Sequence, residues 1–262
     1  MPRPVSVTYK VWPTSAEVAA AAAELFTSSV AAAAHLHGVA RVAISGGSTP
    51  KAMFALLADR SQPYFARVPW DKLHLFWVDE RCVPPTDADS NYRMTNEAMI
   101  SKVPLPAAQI HRMKGELDPA AAASEYEAEL RQEFGAAEPA FDILFLGMGD
   151  DGHTASLFPH TAALHELTRL AVANHVPQQK QSWRITLTSP VINHAREVVF
   201  LIEGAAKTDV LHEVLLGPYD PETHPSQLIR PESGKLAMLL DTTAAAKLPP
   251  PGADGLGTLQ LS

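Results

Sequence analysis

Short apolar runs alternate along this chain with longer alanine-rich or amphipathic segments. Each run is about five residues long and ends at glycine or at polar residues, which predicts buried β-strands. The predicted strands are Arg41–Ser45, Leu73–Val78, Phe141–Leu146, Leu170–Val176, Ile185–Leu187, Val198–Ile202 and Lys235–Leu240. The longer segments predict helices, which are Ala16–His35, Lys51–Asp59, Asn91–Ser101, Ala120–Phe134 and Ala205–Leu216.

Strands with unbroken apolar runs, separated by helices, are typical of a parallel sheet that helices cover on both faces. The predicted fold class is therefore α/β with a mostly parallel sheet. No internal repeat, linker or shift in composition divides the chain, so residues 1–262 are expected to form a single domain. The segment 248–262 is rich in proline and glycine, and we expect it to be a loose tail.

The composition narrows the classes of partner. Hydrophobic residues make up 46% of the 262 positions, which is enough for a sizeable core. The net charge of -8 disfavours nucleic acid and anionic membranes as partners, so an anionic substrate would need a local cluster of cations. Cys82 is the only cysteine. With no signal-peptide stretch in Met1–Lys10 and no run of roughly 20 apolar residues, we expect a cytoplasmic protein.

The first polar segment after a predicted strand is Ser45–Pro50. Gly46 and Gly47 allow the backbone to approach a ligand closely, and the following helix offers free N–H groups and the positive end of its dipole to a phosphate. Ser48 and Thr49 add hydroxyl donors. The same pattern also suits a plain strand–turn–helix junction with a good cap, so this segment alone leaves both interpretations open.

A second glycine-rich segment, Gly147–Ser156, follows another predicted strand. Gly147–Gly152 matches the dinucleotide fingerprint, but Asp150 and Asp151 would lie where a pyrophosphate has to bind. His153 follows these carboxylates, and a histidine beside a carboxylate can act as a general base. The alternative is that the two aspartates cap a helix and that His153 is a surface residue.

Three further charged groups complete the candidate site. In Asp79-Glu80-Arg81, Arg81 is suited to hold an anion or an oxyanion, with Asp79 or Glu80 orienting it through an ion pair, although such triplets are often only solvated charges. Arg184 and Lys207 are typical surface charges when taken alone. Ligands of α/β sheets bind at the carboxyl ends of the strands, so we expect Ser45–Pro50, Asp79–Arg81 and Gly147–Ser156 to lie near one another. Together with the Ser45–Pro50 loop, Arg184 and Lys207 would form a local cluster of cations.

Other chemistries lack their sequence signals. The chain has no His-Glu-x-x-His, no Cys-x-x-Cys and no Gly-x-Ser-x-Gly. The sequence therefore predicts neither a metal ligand set nor a serine nucleophile elbow.

Taken together, the motifs resemble the 6-phosphogluconolactonase family. The segments that carry the resemblance lie between about Val42 and Lys207, and the combination is more specific than any one of them. They are Ile44–Pro50, Phe76–Arg81, Ser90-Asn91, Gly147–Pro159, Arg184–Thr188 and Gly204-x-x-Lys207. Ile44 replaces the leucine usual in the family, and Asp150 occupies a variable position.

The resemblance implies a Rossmann-like fold shared with glucosamine-6-phosphate deaminases and ribose-5-phosphate isomerases. It implies a cytoplasmic enzyme of the oxidative pentose phosphate pathway that needs no cofactor and opens 6-phospho-D-glucono-1,5-lactone to 6-phosphogluconate. We expect a monomer or a small homo-oligomer whose partner is this sugar-phosphate lactone.

The resemblance also assigns roles. His153 would take a proton from the attacking water, and Asp151 would orient His153. Arg81 would stabilise the oxyanion or bind the hydroxyl groups of the lactone. The expected substrate-binding residues are Gly46, Gly47, Ser48, Thr49, Asp79, Asn91, Arg184 and Lys207.

Two alternatives remain at this point. A glucosamine-6-phosphate deaminase or related aldose–ketose isomerase shares the Gly-x-Asp-Gly-His stretch, but these deaminases carry Phe-Asn-Glu where this chain has Ser156-Leu157-Phe158. A non-catalytic sugar-phosphate sensor would need the phosphate-binding residues but neither His153 nor Arg81. Such a sensor usually has an output domain, for which this chain has no length left.

Overall fold

The computed structural model describes residues 3–135 and 138–261. The strands are β1 (Val5–Trp12), β2 (Ala40–Ile44), β3 (Leu73–Trp77), β4 (Asp79–Arg81), β5 (Ile110–His111), β6 (Ile143–Leu146), β7 (Ala171–His175), β8 (Trp183–Leu187), β9 (Glu197–Ile202), β10 (Lys235–Asp241) and β11 (Leu256–Leu261). The helices are α1 (Ser15–His37), α2 (Ser48–Ala58), α3 (Asn91–Ala98), α4 (Pro119–Phe134), α5 (Ser189–Asn193) and α6 (Thr208–Leu216).

Eight strands form one sheet in the order β11-β1-β10-β9-β6-β2-β3-β5. Every neighbouring pair is parallel except β1 with β11, which confirms the predicted α/β class. Successive side chains of a strand point to opposite faces. Accordingly Val42 and Ile44 of β2 lie in the hydrophobic cluster that contains α1 and α2, and Ala43 lies in the cluster that contains α4 and α6.

Helix α1 shows how the alanine-rich segment folds. Thr14 caps its first turn through its side chain, and Gly38, with φ of 79°, ends it in the left-handed conformation. Its length and composition would suffice to cross a membrane. However, Val18, Ala22 and Phe26, spaced by four residues, are fully buried against the sheet and α2. This spacing and burial identify α1 as a core helix of the domain.

A second, three-stranded sheet corrects part of the sequence prediction. The predicted strands Leu170–Val176 and Ile185–Leu187 do form, but they pair antiparallel with each other, and β8 also pairs with β4. In β8, Ile185 and Leu187 belong to the core, whereas Arg184 lines a cavity. This alternation of apolar and polar side chains is typical of an antiparallel strand with one face on the core.

The predicted loose tail is also wrong for its last residues. β11 pairs antiparallel with β1, a strand whose alternating pattern the sequence analysis missed. Val5, Val7 and Tyr9 are the buried positions of β1, and Leu261 packs with them. Because β10 occupies one side of β1, the other side would be an open edge without β11, and pairing satisfies those backbone groups.

Two helices are shorter than predicted. The helix expected over Asn91–Ser101 ends at Ala98, and Ile100–Lys102 forms a 3₁₀ turn. The helix expected over Ala205–Leu216 begins with a 3₁₀ turn at Ala205–Lys207.

The order of the strands reverses direction at β2. From β2 the chain runs outward to β3 and β5, and then crosses to β6 on the other side of β2. The segments that follow β2 and β6 therefore lie at the switch point where α/β sheets bind ligands.

Buried Glu80 fixes the connection between β4 and α3. It is 2% exposed, and its carboxyl group accepts hydrogen bonds from the backbone N–H groups of Arg81 (2.8 Å), Asn91 (2.7 Å) and Tyr92 (2.8 Å) and from the Ser90 hydroxyl (3.0 Å). Burial raises the pKa of Glu80, and the backbone donors oppose this rise. Glu80 is therefore a structural acceptor that places two neighbours, Arg81 and Asn91.

The substitution Glu80→Gln tests this role. In either orientation the glutamine NH₂ faces a backbone N–H group, so at least one buried donor loses its acceptor. We expect the free energy of unfolding to fall by about 1–3 kcal/mol in urea titrations at pH 7. The matched control is Glu97→Gln on the exposed end of α3, where the carboxylate bonds to Arg93. Its effect should stay within about 0.5 kcal/mol. An unchanged stability of Glu80→Gln would contradict this role.

Candidate active site

The loop after β2 presents the start of helix α2 to an open cavity. Gly47 is the N-cap with φ of 117°, and no side chain of the described residues caps the helix there. A Cβ on Gly46 would lie 2.0 Å from Oδ1 of Asn91, so this position has no room for a larger residue. The N–H groups of Ser48 and Thr49 belong to the first turn, where a helix binds anions.

The cavity has a volume of about 320 Å³ and lies where the segments after β2, β3, β6 and β9 meet. The structure brings together on its wall every residue predicted for the site except Asp151. These wall residues are Gly46, Gly47, Ser48, Thr49, Asp79, Arg81, Asn91, His153, Arg184 and Lys207. Asp151 is connected to the cavity through its hydrogen bond to His153.

The imidazole of His153 is held from two directions. Its Nδ1 is 2.5 Å from Oδ1 of Asp151, and its ring stacks on Phe158 with centroids 3.9 Å apart and an angle of 22°. Burial raises the pKa of Asp151, but the hydrogen bond and charge of His153 outweigh this, and the net pKa is lowered. An ionised Asp151 accepts the Nδ1 proton, which leaves Nε2 of His153 with a lone pair.

Gly149 explains how this pair fits into its loop. A Cβ at this position would lie 2.0 Å from Nδ1 of His153 and 2.6 Å from Oδ1 of Asp151. The backbone N–H of Gly149 also donates to the carbonyl of His153 at 2.8 Å. Gly149 therefore makes room for the carboxylate–imidazole pair. This packing explains the glycine at this position, and no bound dinucleotide is needed to explain it.

Two arginines are neighbours on adjacent strands of the small sheet. Arg81 and Arg184 are directly opposite in the pairing of β4 with β8. Arg184 is 6% exposed and donates from Nε to the carbonyl of Gln181 at 2.8 Å, and Arg81 donates to the carbonyl of Asp89 at 2.6 Å. Burial lowers the pKa of Arg184, and the charge of Asp79 opposes this.

Neither guanidinium has an ion-pair partner among the described residues, and the buried Nε of Arg81 has no acceptor there. Opposed like charges are unfavourable. The pair is therefore suited to bind an anion in the cavity.

Asp79 lines the cavity but does not form the ion pair that was predicted for it. The sequence analysis expected Asp79 or Glu80 to form an ion pair with Arg81, and the described residues contain no such pair. Asp79 instead accepts a hydrogen bond from the Ser156 hydroxyl at 2.6 Å and one from the Asn91 side chain at 3.2 Å. It therefore joins the segment after His153 to the start of α3.

Lys207 lies at the rim of the cavity. Its ammonium group forms an ion pair with Asp150, whose side chain is 72% exposed. The structure thus separates the two aspartates of the glycine-rich segment: Asp150 contacts Lys207, and Asp151 contacts His153.

Sequence reasoning assigned no role to several residues of the cavity wall. These are Ser45, Pro50, Gly147, Met148, Gly149, Ala155, Ser156, Phe158, Gln179, Leu201, Ile202 and Glu203. Glu203 directly follows β9, so its position at a strand end was an available signal. Gln179 lies in the connection between β7 and β8, where no pattern in the sequence points to a ligand.

Comparisons with known proteins identify relatives of this chain. The model of the family described as glucosamine-6-phosphate isomerases/6-phosphogluconolactonase matches residues 13–238. A 6-phosphogluconolactonase of Synechocystis sp. is 43% identical over 217 residues, which cover 81% of this chain and 86% of the relative.

Solved structures show the same fold. The crystal structure of devB protein superposes with a TM-score of 0.84 at 34% identity, covering 93% of this chain and 100% of that one. A monomeric glucosamine-6-phosphate deaminase has a TM-score of 0.73 at 18% identity, covering 91% of this chain and 98% of that one, and shares the fold. With a family match over most of the chain and the matching motifs gathered on one cavity, this protein belongs to the glucosamine-6-phosphate isomerase/6-phosphogluconolactonase family.

Proposed function

We propose that this protein hydrolyses 6-phospho-D-glucono-1,5-lactone to 6-phosphogluconate. The observation that carries the proposal is the presence, in one cavity, of a carboxylate–imidazole pair and two arginines without carboxylate partners among the described residues. The carboxylate–imidazole pair can move a proton, and the arginines can hold a phosphate or a developing negative charge. The Synechocystis relative, named 6-phosphogluconolactonase, supports the same activity.

The phosphate end of the substrate is assigned to the start of α2 together with Arg184 and Lys207. The first-turn N–H groups of Ser48 and Thr49 supply directed donors, and Arg184 supplies a buried cation. A phosphate bound there would receive charge-assisted hydrogen bonds and would relieve the repulsion between Arg184 and Arg81.

The chemistry then requires one proton acceptor. The oxygen of water forms a bond to the lactone carbonyl carbon as Nε2 of His153 takes the proton of that water. Ionised Asp151 stabilises the resulting imidazolium through Nδ1. Arg81 stabilises the oxyanion of the tetrahedral intermediate. When the bond between the carbonyl carbon and the ring oxygen breaks, His153 returns its proton to that oxygen, so the base is regenerated.

Phe158 argues against the deaminase and isomerase alternative. Its ring stacks on His153, at the position where the deaminases carry a glutamate. A phenyl ring can orient the imidazole, but it cannot exchange a proton with it. The sensor alternative leaves the hydrogen bond between His153 and Asp151 without a purpose, because ligand binding alone does not require a polarised base.

A direct assay tests the proposal. The purified protein should accelerate the opening of freshly prepared 6-phosphogluconolactone above its spontaneous hydrolysis, with no metal or nucleotide added. Unphosphorylated gluconolactone should have a kcat/KM at least about 100-fold lower, because it makes none of the charge-assisted contacts, which contribute roughly 1.5–3 kcal/mol each. Activity that disappears with EDTA and returns with a divalent ion would overturn the cofactor-free mechanism.

Arg184→Ala tests the phosphate site. Losing one or two charge-assisted hydrogen bonds should raise KM by about 10- to 100-fold and change kcat much less. Arg184→Lys should recover part of the affinity because it keeps the charge. The control is Arg196→Ala, whose side chain is 58% exposed and pairs with Asp142 outside the cavity. A KM that is equal in all variants would remove Arg184 from the phosphate site.

His153→Ala distinguishes an enzyme from a sensor. Loss of a general base should lower kcat by about 10²–10⁴-fold and leave the affinity for 6-phosphogluconate nearly unchanged, since other residues hold the phosphate. His165→Ala, on an exposed histidine, is the control. An unchanged kcat in His153→Ala at pH 5–8 would remove His153 from catalysis.

A further inference from the structure

A second group of polar side chains converges at the edge of the large sheet, away from the cavity. His74 is near the amino end of β3, His111 ends β5, and Glu133 lies in the last turn of α4. Nδ1 of His74 is 3.0 Å from Nε2 of His111 and 3.2 Å from Oε1 of Glu133. We propose that these three atoms bind one divalent transition-metal ion, best suited to zinc, in a site that is separate from the active site.

The spacing of the donor atoms fits such an ion. Zinc binds imidazole nitrogen and carboxylate oxygen at about 2.0–2.2 Å in tetrahedral geometry, so its ligand atoms lie roughly 3.3–3.5 Å from one another. The two distances from His74 are within about 0.3 Å of that spacing, so small side-chain movements would admit the ion. All three donor atoms lie within 4.8 Å of one another. His74 and Glu133 are partly exposed, which leaves water access to a fourth position.

The residues around His111 form the second layer of a metal site. Its Nδ1 is 2.8 Å from Oε1 of Glu129, and a carboxylate in this position directs Nε2 towards the ion and makes it more basic. The ring of Phe76 stacks on His111 at 4.2 Å with an angle of 8°, and His111 is 7% exposed. The imidazole is thus fixed before any ion arrives, which lowers the entropic cost of binding.

The local charges also permit a cation. Arg41 donates from Nε to Glu133 at 3.0 Å and so competes for that carboxylate. However, Glu129 and Glu133 together exceed the single charge of Arg41. The ion would bind where His74 contacts His111 and Glu133.

The position of the site indicates a structural role. β5 pairs with β3 through two residue pairs, Leu75 with Ile110 and Phe76 with His111. An ion held by β3, β5 and α4 would fasten this short edge strand. His74 lies near the amino end of β3, whereas the cavity lies at the carboxyl ends of the strands, so the ion would stabilise the domain and not take part in the reaction.

Zinc titration of the chelator-treated full-length chain tests the proposal. Equilibrium dialysis followed by metal analysis should find one zinc ion per chain. The melting temperature should rise by roughly 5 °C when free zinc is about 100 times its Kd. His74→Gln and Glu133→Gln should lose the bound ion and the rise in melting temperature, while kcat for the lactone stays unchanged. Circular dichroism of each variant without zinc shows whether it is folded, and either variant suffices if the other is not.

Two control variants locate the ion. His165→Gln removes an exposed histidine outside the group, and His153→Ala removes the imidazole of the active site. Both should retain the zinc ion and the thermal shift. The proposal is overturned if no zinc binds, if binding persists in folded His74→Gln or Glu133→Gln, or if His153→Ala is the variant that loses it.

Discussion

The candidate site depends on two neighbouring arginines, at the pairing of β4 with β8, that have no ion-pair partner among the described residues. Arg81 and Arg184 are placed opposite each other by the strand register, and the nearby carboxylates of Asp79 and Glu80 are occupied by other donors. The protein therefore keeps two adjacent guanidinium groups available in a chain of net charge -8. Like charges so close together cost stability, and an anion bound between them would offset that cost.

The two sheets contribute different parts of this site. The large parallel sheet supplies the start of α2 and the glycine-rich segment after β6, because both follow strands that meet at the switch point. The small antiparallel sheet adds the arginines from the side. Asp79 connects the two parts through its hydrogen bonds with Ser156 and Asn91, so the segment that follows His153 keeps a fixed position relative to β4.

Much of this arrangement was accessible from sequence, since the polar clusters at the ends of Arg41–Ser45 and Phe141–Leu146 had to meet once a parallel sheet was inferred. The antiparallel pairing of β4 with β8 could not be predicted, because β4 has only three residues, all charged, and so has no apolar pattern of a strand. β11 was missed since proline and glycine before it masked a short alternating strand. His74, His111 and Glu133 lie on three separate elements, so their spacing along the chain does not indicate that they form a group.

The pairing of β1 with β11 has a practical meaning for handling the protein. Val5 is opposite Leu261, so both ends of the described chain emerge side by side. Val5 is also at the amino end of a strand parallel to β10, whereas the cavity is at the carboxyl ends of the sheet. A protein attached to a surface by either terminus would therefore present its cavity to the solution, with substrate access unobstructed by the support.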